Sequence, residues 1–244
     1  MAYTSPIATM SQTKSPDKTQ DHSTNTKEEA TTSHVSPWLV RLVYPLGRYL
    51  VLPFYFGKIQ VKGRENLPKD NPVIFAPTHR SRWDALMLAY AAGRDITGRD
   101  LQFMVSIDEM KGVQGWFIRR LGGFPVDPKH PGISSLRHGI ELLEKGKVLV
   151  IFPEGDIFRT EDIQPLEPGL ARIALHAETD QPGLGIKIVP IRIHYSQPVP
   201  HKGCDVDIRI GSPLSVADYC HKPVKGCAEE IRDDVRQALQ EIGD

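Results

Sequence analysis

Apolar residues in this chain fall into short runs that stop at charged or Pro/Gly corners. The clearest run, Val73-Ile74-Phe75-Ala76, ends at Pro77 and predicts a buried strand. Residues 81–93 follow with the composition of a helix. The alternation then continues down the chain. Residues 58–62 predict a short alternating strand, and 101–105 and 147–152 two more strands. Ile133, Leu136, Ile140 and Leu143 keep helical spacing between them. A helix over 169–178, strands near 186–194 and 206–210, and a last helix with Cys227, Ile231, Val235 and Leu239 on one stripe complete the pattern. Strand–helix alternation of this kind predicts an α/β fold, with a single mixed, largely parallel sheet flanked by helices. No internal repeat is visible.

Two N-terminal segments depart from that pattern. Residues 1–34 are rich in Ser, Thr, Lys and Asp and carry almost no large apolar side chains. Such a segment buries too little surface to offset its ordering entropy, so a disordered tail is predicted, without the apolar core of a secretory signal. Residues 35–57 are the opposite, an aromatic and aliphatic stretch interrupted by Arg41, Arg48, Pro45 and Pro53. A spanning helix needs about 20 uninterrupted apolar residues. Two short helices are predicted instead, either packed as a hairpin on the domain or lying at a membrane surface. Tyr and Trp favour the headgroup level, and arginines meet anionic lipid there. The expectation is an interfacial, membrane-associating element, and residues 58–244 form the globular domain.

Composition narrows the function class. The 244 residues suit one full core, and 30 basic against 30 acidic side chains leave no net field to attract nucleic acid. Cys204, Cys220 and Cys227 form no even framework and no metal-ligand spacing, which implies a reducing compartment. No metal site and no separate cofactor are expected.

Candidate chemistry sits at the corners. His79 follows the buried run and Asp84 opens the helix behind it, at the sheet edge where open α/β folds gather their sites. A histidine held by a carboxylate is a general base of fixed tautomer. The spacing works only if His79 lies outside the helix and Asp84 in its first turn. Ser81-x-x-Asp84 also reads as a capping box, in which Asp84 serves the helix terminus alone, and the two roles are compatible. A second corner, Phe152-Pro153-Glu154-Gly155, closes the run of 147–152, and Val189-Pro190-Ile191 lies on a later strand.

The order His-x4-Asp, a Gly-rich basic turn at 122–129, Phe-Pro-Glu-Gly and Val-Pro-Ile resembles the glycerolipid acyltransferases, most closely the 1-acylglycerol-3-phosphate acyltransferase family. The resemblance spans residues 72–193. It implies acyl transfer from acyl-CoA or acyl-carrier protein to the hydroxyl of lysophosphatidate, with His79 as base and Asp84 as its partner. It further implies that Glu154 and Gly155 help to position the acceptor, and that the enzyme works at a membrane surface, peripherally, on the cytoplasmic face. Two positions depart from the family pattern. Pro128 stands where Arg is usual, and Asp156-Ile157 replace Thr-Arg after Gly155. Arg120, Lys129 and Arg159 are the candidate replacements for the lost cations. The departures keep other acceptors open: another lysolipid, glycerol 3-phosphate, water in a thioesterase reaction, or none in a non-catalytic lipid binder.

Overall fold

The computed structural model describes residues 33–127, 132–220 and 224–243. The tail read at 1–34 lies almost wholly outside them. From the N-terminus, α1 (Pro37–Leu46) runs through a π-helical turn, Gly47–Val51, into α2 (Leu52–Tyr55). The two short helices expected here run on as one track, and the hairpin alternative is not formed. Leu46, Gly47 and Val51 all keep right-handed helical backbone, so the track stays helical through both prolines. Each proline lacks the N–H of an α-helical bond, and a wider π turn lies between them. No described helix is long and apolar enough to cross a membrane.

The sheet follows the predicted runs. Its strands are β1 (Ile59–Lys62), β2 (Val73–Pro77), β3 (Leu101–Ser106), β4 (Gly123–Val126), β5 (Val148–Val150), β6 (Lys187–Tyr195), β7 (Val206–Ile210) and β8 (Leu214–Ser215). Their order is β1-β7-β6-β2-β5-β3-β4, with β8 added beside β6. The pairs of β2 with β5 and β6, of β3 with β4 and β5, and of β1 with β7 are parallel. β6 meets β7 and β8 antiparallel. The fold is therefore mixed α/β with one mostly parallel sheet. All five residues of β2 are buried, which explains its unbroken apolar run: helices cover both faces.

Helices α3 (Asp84–Ala92), α4 (Arg94–Thr97), α5 (Gly112–Arg120), α6 (Ile133–Glu144), α7 (Gly169–Asp180) and α8 (Val224–Glu241) connect and flank the strands. On one face Ile74, Leu149 and Ile188 pack with α6, α7 and α8 through Leu143, Ile173 and Ile231. On the other, Phe75, Val150 and Val189 meet Met87 and Leu88 of α3, and Leu52 of α2 joins them. The predicted helix over 81–93 begins later, at Asp84, because residues 79–83 form the corner itself.

One expected turn is partly a strand. Of the Gly-rich segment, Gly122 keeps left-handed backbone (φ 97°), but Gly123–Val126 pairs with β3 as the edge strand. Pro125 is tolerated there because an edge strand leaves one side without ladder bonds.

Candidate active site

Parallel pairing of β6, β2 and β5 lays their C-terminal ends side by side, and the candidate site is built on those three ends. Beyond Pro77 the hydroxyl of Thr78 donates to Ile193 O (3.3 Å) and accepts from Ile193 N (2.9 Å), which ties the start of the corner to β6. His79 comes next. Its ring Nδ1 donates to Asp84 Oδ2 at 2.8 Å. A carboxylate accepts only, so the proton sits on Nδ1 and Nε2 is left free to take one. The Phe152 ring stacks on the imidazole, 4.0 Å between centroids, and fixes its plane.

Asp84 is the first residue of α3 and is wholly buried. A buried carboxylate is tolerable only when its oxygens are bonded. Oδ2 takes the backbone N–H of Arg80 (2.6 Å) and of Ser81 (2.8 Å) besides His79, and Oδ1 takes the Tyr195 hydroxyl (2.7 Å). One oxygen thus holds both the imidazole and the loop before the helix, while the helix itself starts at Asp84 behind Trp83 with no side-chain N-cap bond, so the capping box is not formed. The helix N-terminus adds a favourable partial positive charge.

Glu154 is buried as well. Its Oε2 accepts the His79 backbone N–H (3.0 Å) and Arg80 Nη1 (2.6 Å), and its Oε1 accepts Gln164 N–H (3.0 Å). Arg80 also donates to Asp162 O (3.3 Å), and Phe158 N–H donates to His79 O (2.9 Å). The segment 155–168 is therefore pinned across the corner. Gly155 sits in left-handed backbone (φ 78°), where a Cβ would press on Glu167 at 3.1 Å.

His79 and Gly155 line a cavity of about 830 Å³, within the size of ordinary ligand sites. Much of its wall is apolar, from Leu86 and Ala89 of α3, Phe103 of β3, Ile118 of α5 and Leu136 of α6. Tyr44 of α1 also borders it, its hydroxyl pKa pushed well above the usual range by burial first and by Asp100 second.

The structure brings His79, Asp84, Glu154 and Gly155 together. Arg159 is exposed beside a second cavity, about 720 Å³, shared with Ser81, Trp83 and Pro200, and Arg82 borders both cavities. Arg120 stands elsewhere. Its guanidinium lies over the Trp116 ring, 4.1 Å from the centroid, and it borders neither cavity. Lys129 lies outside the described residues. Three participants carried no clear sequence signal: Arg80, Phe152 as a stacking partner, and Tyr195. Only the position of Tyr195 at a strand end hinted at one.

Residues 58–194, which carry the strands and the corner just described, match the acyltransferase family. The chain belongs to that family and is an acyltransferase enzyme. It is similar to the 1-acyl-sn-glycerol-3-phosphate acyltransferase of Bacillus subtilis, 29% identical over 76% of this chain and 88% of that protein. The enzyme of the same name from Streptococcus pneumoniae is 27% identical over 73% of this chain and 65% of its own length. Among solved structures, the 1-acyl-sn-glycerophosphate acyltransferase PlsC of Thermotoga maritima shares the fold. Its TM-score is 0.60 at 19% identity, covering 92% of this chain and 83% of that one.

The buried pairing around Glu154 makes a stability prediction. Glu154→Gln keeps the shape but turns an NH2 group toward N–H donors and leaves Arg80 without its counter-charge. Unfolding free energy should fall by about 3 kcal/mol, read from urea denaturation. An unchanged midpoint would show that the corner does not depend on this carboxylate.

Proposed function

We propose that the enzyme transfers a fatty acyl group from a thioester donor, acyl-CoA or acyl-carrier protein, to the hydroxyl of lysophosphatidate, giving phosphatidic acid for phospholipid synthesis. The observation that carries this reading is an imidazole fixed through Nδ1 on a buried carboxylate, in the wall of a mostly apolar cavity. The names of the relatives support the choice of acceptor.

The mechanism follows from the geometry. Nε2 of His79 takes the proton of the acceptor hydroxyl as that oxygen attacks the thioester carbon. Asp84 stabilises the imidazolium that results. The tetrahedral adduct collapses by breaking its C–S bond, and His79 returns the proton to the departing thiolate. No acyl-enzyme is required because a thioester is already activated. The apolar walls suit an alkyl chain, with the carbonyl held near His79. Glu154 acts here on the backbone of His79 and on Arg80, so it serves the acceptor by holding the corner in place. Gly155 lets the chain turn at the mouth without a side chain in the way. Arg82, which lines both cavities, and Arg159, which lines the second, are the cations assigned to the acceptor phosphate. Asp156 is exposed and its carboxylate accepts from Ile157 N–H (2.7 Å), so solvent screens it from a phosphate.

Peripheral membrane attachment belongs to the same proposal. Trp38, Leu42, Tyr49, Leu50 and Phe54 are all more than half exposed along the N-terminal helical track. Lys202 Nζ lies over the Phe54 ring at 4.0 Å. Aromatic rings interleaved with cations suit the headgroup level of a bilayer.

Three measurements test this reading. In detergent, with labelled acyl-CoA and a panel of acceptors, the wild type should label phosphatidic acid from lysophosphatidate, and His79→Ala should lose turnover by about 10²–10⁴. Retained turnover removes His79 as base. Labelled fatty acid alone, whatever the acceptor, makes the enzyme a thioesterase, and transfer only to glycerol 3-phosphate or a phosphate-free lipid reassigns the acceptor. Secondly, Arg159→Ala should raise KM for lysophosphatidate several-fold more than KM for the donor; equal changes take Arg159 out of the phosphate site. Thirdly, replacing Tyr49, Leu50 and Phe54 by Ser should weaken co-sedimentation with anionic vesicles by about tenfold or more while circular dichroism stays constant. Undiminished binding places the bilayer contact elsewhere.

A further inference from the structure

Tyr195 is the last residue of β6, 111 positions from Asp84 in sequence, yet its hydroxyl donates to Asp84 Oδ1 at 2.7 Å. The side chain is buried, and its ring packs near Phe56, 6.1 Å between centroids. Packing alone does not call for the hydroxyl, since Phe fills nearly the same volume. What the hydroxyl adds is a bond to Asp84 Oδ1, which has no other hydrogen bond among the described residues. His79 Nδ1 and the N–H groups of Arg80 and Ser81 all converge on Oδ2. Three donors already hold Oδ2, and the Tyr195 hydroxyl fixes the other end of the carboxylate and takes up part of its charge.

We propose that Tyr195 is a positioning residue for acyl transfer, which holds Asp84 at a second point so that Oδ2 stays aimed at His79 and which limits how strongly the carboxylate draws the imidazole proton. This deepens the reading of His79 as general base and rests on it. The phenol remains a donor throughout the working pH range, because burial first, and the charge of Asp84 next, hold its pKa far above the ordinary tyrosine value. It acts through Asp84 and touches no reacting atom.

The two effects have separable signs. Removing the hydroxyl leaves Oδ1 bare, so the carboxylate gathers charge and stabilises an imidazolium at His79 more strongly. The ring then holds its proton to higher pH, and the acid limb of the kcat/KM profile moves up. A stronger donor at the same place withdraws charge and moves that limb down. The other charged and titratable groups around the pair are Glu154 with Arg80, Arg82 with Glu109, Asp156 at the cavity mouth, and Cys204 beside Tyr195. All of them are common to the variants compared, so the displacement reports on the Tyr195 bond.

The experiment compares full-length Tyr195→Phe, the protein carrying 3-fluorotyrosine at position 195, and His79→Ala, assayed with acyl-CoA and lysophosphatidate. Tyr195→Phe is expected to lower kcat about tenfold with both KM values within about twofold. Its acid limb should rise by roughly half to one pH unit. The fluorinated protein, nearly isosteric and safe against a failure of Tyr195→Phe to fold, should shift the limb the other way. If both limbs stay at the wild-type position while His79→Ala is inactive, Tyr195 is only a core residue and the proposal falls alone. If His79→Ala keeps full turnover, the base reading falls and takes the role of Tyr195 with it.

Discussion

Phe75, in the middle of β2, pairs with Val150 of β5 on one side and with Val189 of β6 on the other, all three strands running the same way. That register decides where every polar group of the site emerges. His79 and Glu154 each lie four residues past the Phe75–Val150 pair and so meet at one level although they are far apart in the chain, and Tyr195, at the end of β6, reaches the same corner through Asp84. The apolar interior of β2 is what makes the register unique, because a slip by one residue would turn Phe75 and Ile74 to the wrong faces and separate the two cores.

Above the sheet, the corner is held by two buried carboxylates doing different tasks. Asp84 collects donors from its own loop, from the imidazole and from β6. Glu154 collects them from the His79 backbone, from Arg80 and from Gln164. Neither has water to fall back on, so each is an organiser of polypeptide as much as a charge. The imidazole between them is clamped by a ring on one face and a carboxylate at one nitrogen. The residue lines the cavity and its second nitrogen is the one left for the proposed proton transfer, a preorganised arrangement.

Much of the architecture was legible in the sequence because burial writes itself into apolar runs. β2, β3, β6 and β7 were all visible that way, and so was the stripe of Cys227, Ile231, Val235 and Leu239. The His79–Asp84 pair was legible because its geometry is local, five residues across one turn. What could not be read was non-local or depended on the absence of a rule. Tyr195 has no motif, since its partner is 111 residues away. β4 hid behind Gly122 and Gly123, whose composition signals a turn while an edge strand accepts it. The prolines at 45 and 53 looked like breaks, but a π turn lets the helical track continue between them. Arg120 looked like a phosphate ligand, and a neighbouring indole on its own helix holds it instead.

The wide sequence separation of the groups on Asp84 and Glu154 also governs when the site comes into being. Contacts that span 75 and 111 residues are non-local, so each can form only once its later strand is present. During synthesis, the ribosome must release β5 before Glu154 reaches the His79 corner, and β6 before Tyr195 reaches Asp84. Until then Asp84 is a solvated carboxylate on a nascent chain, and the helix behind it has no sheet to lie on. The corner is therefore completed in two stages, Glu154 joining it first and Tyr195 only after β6 has been made.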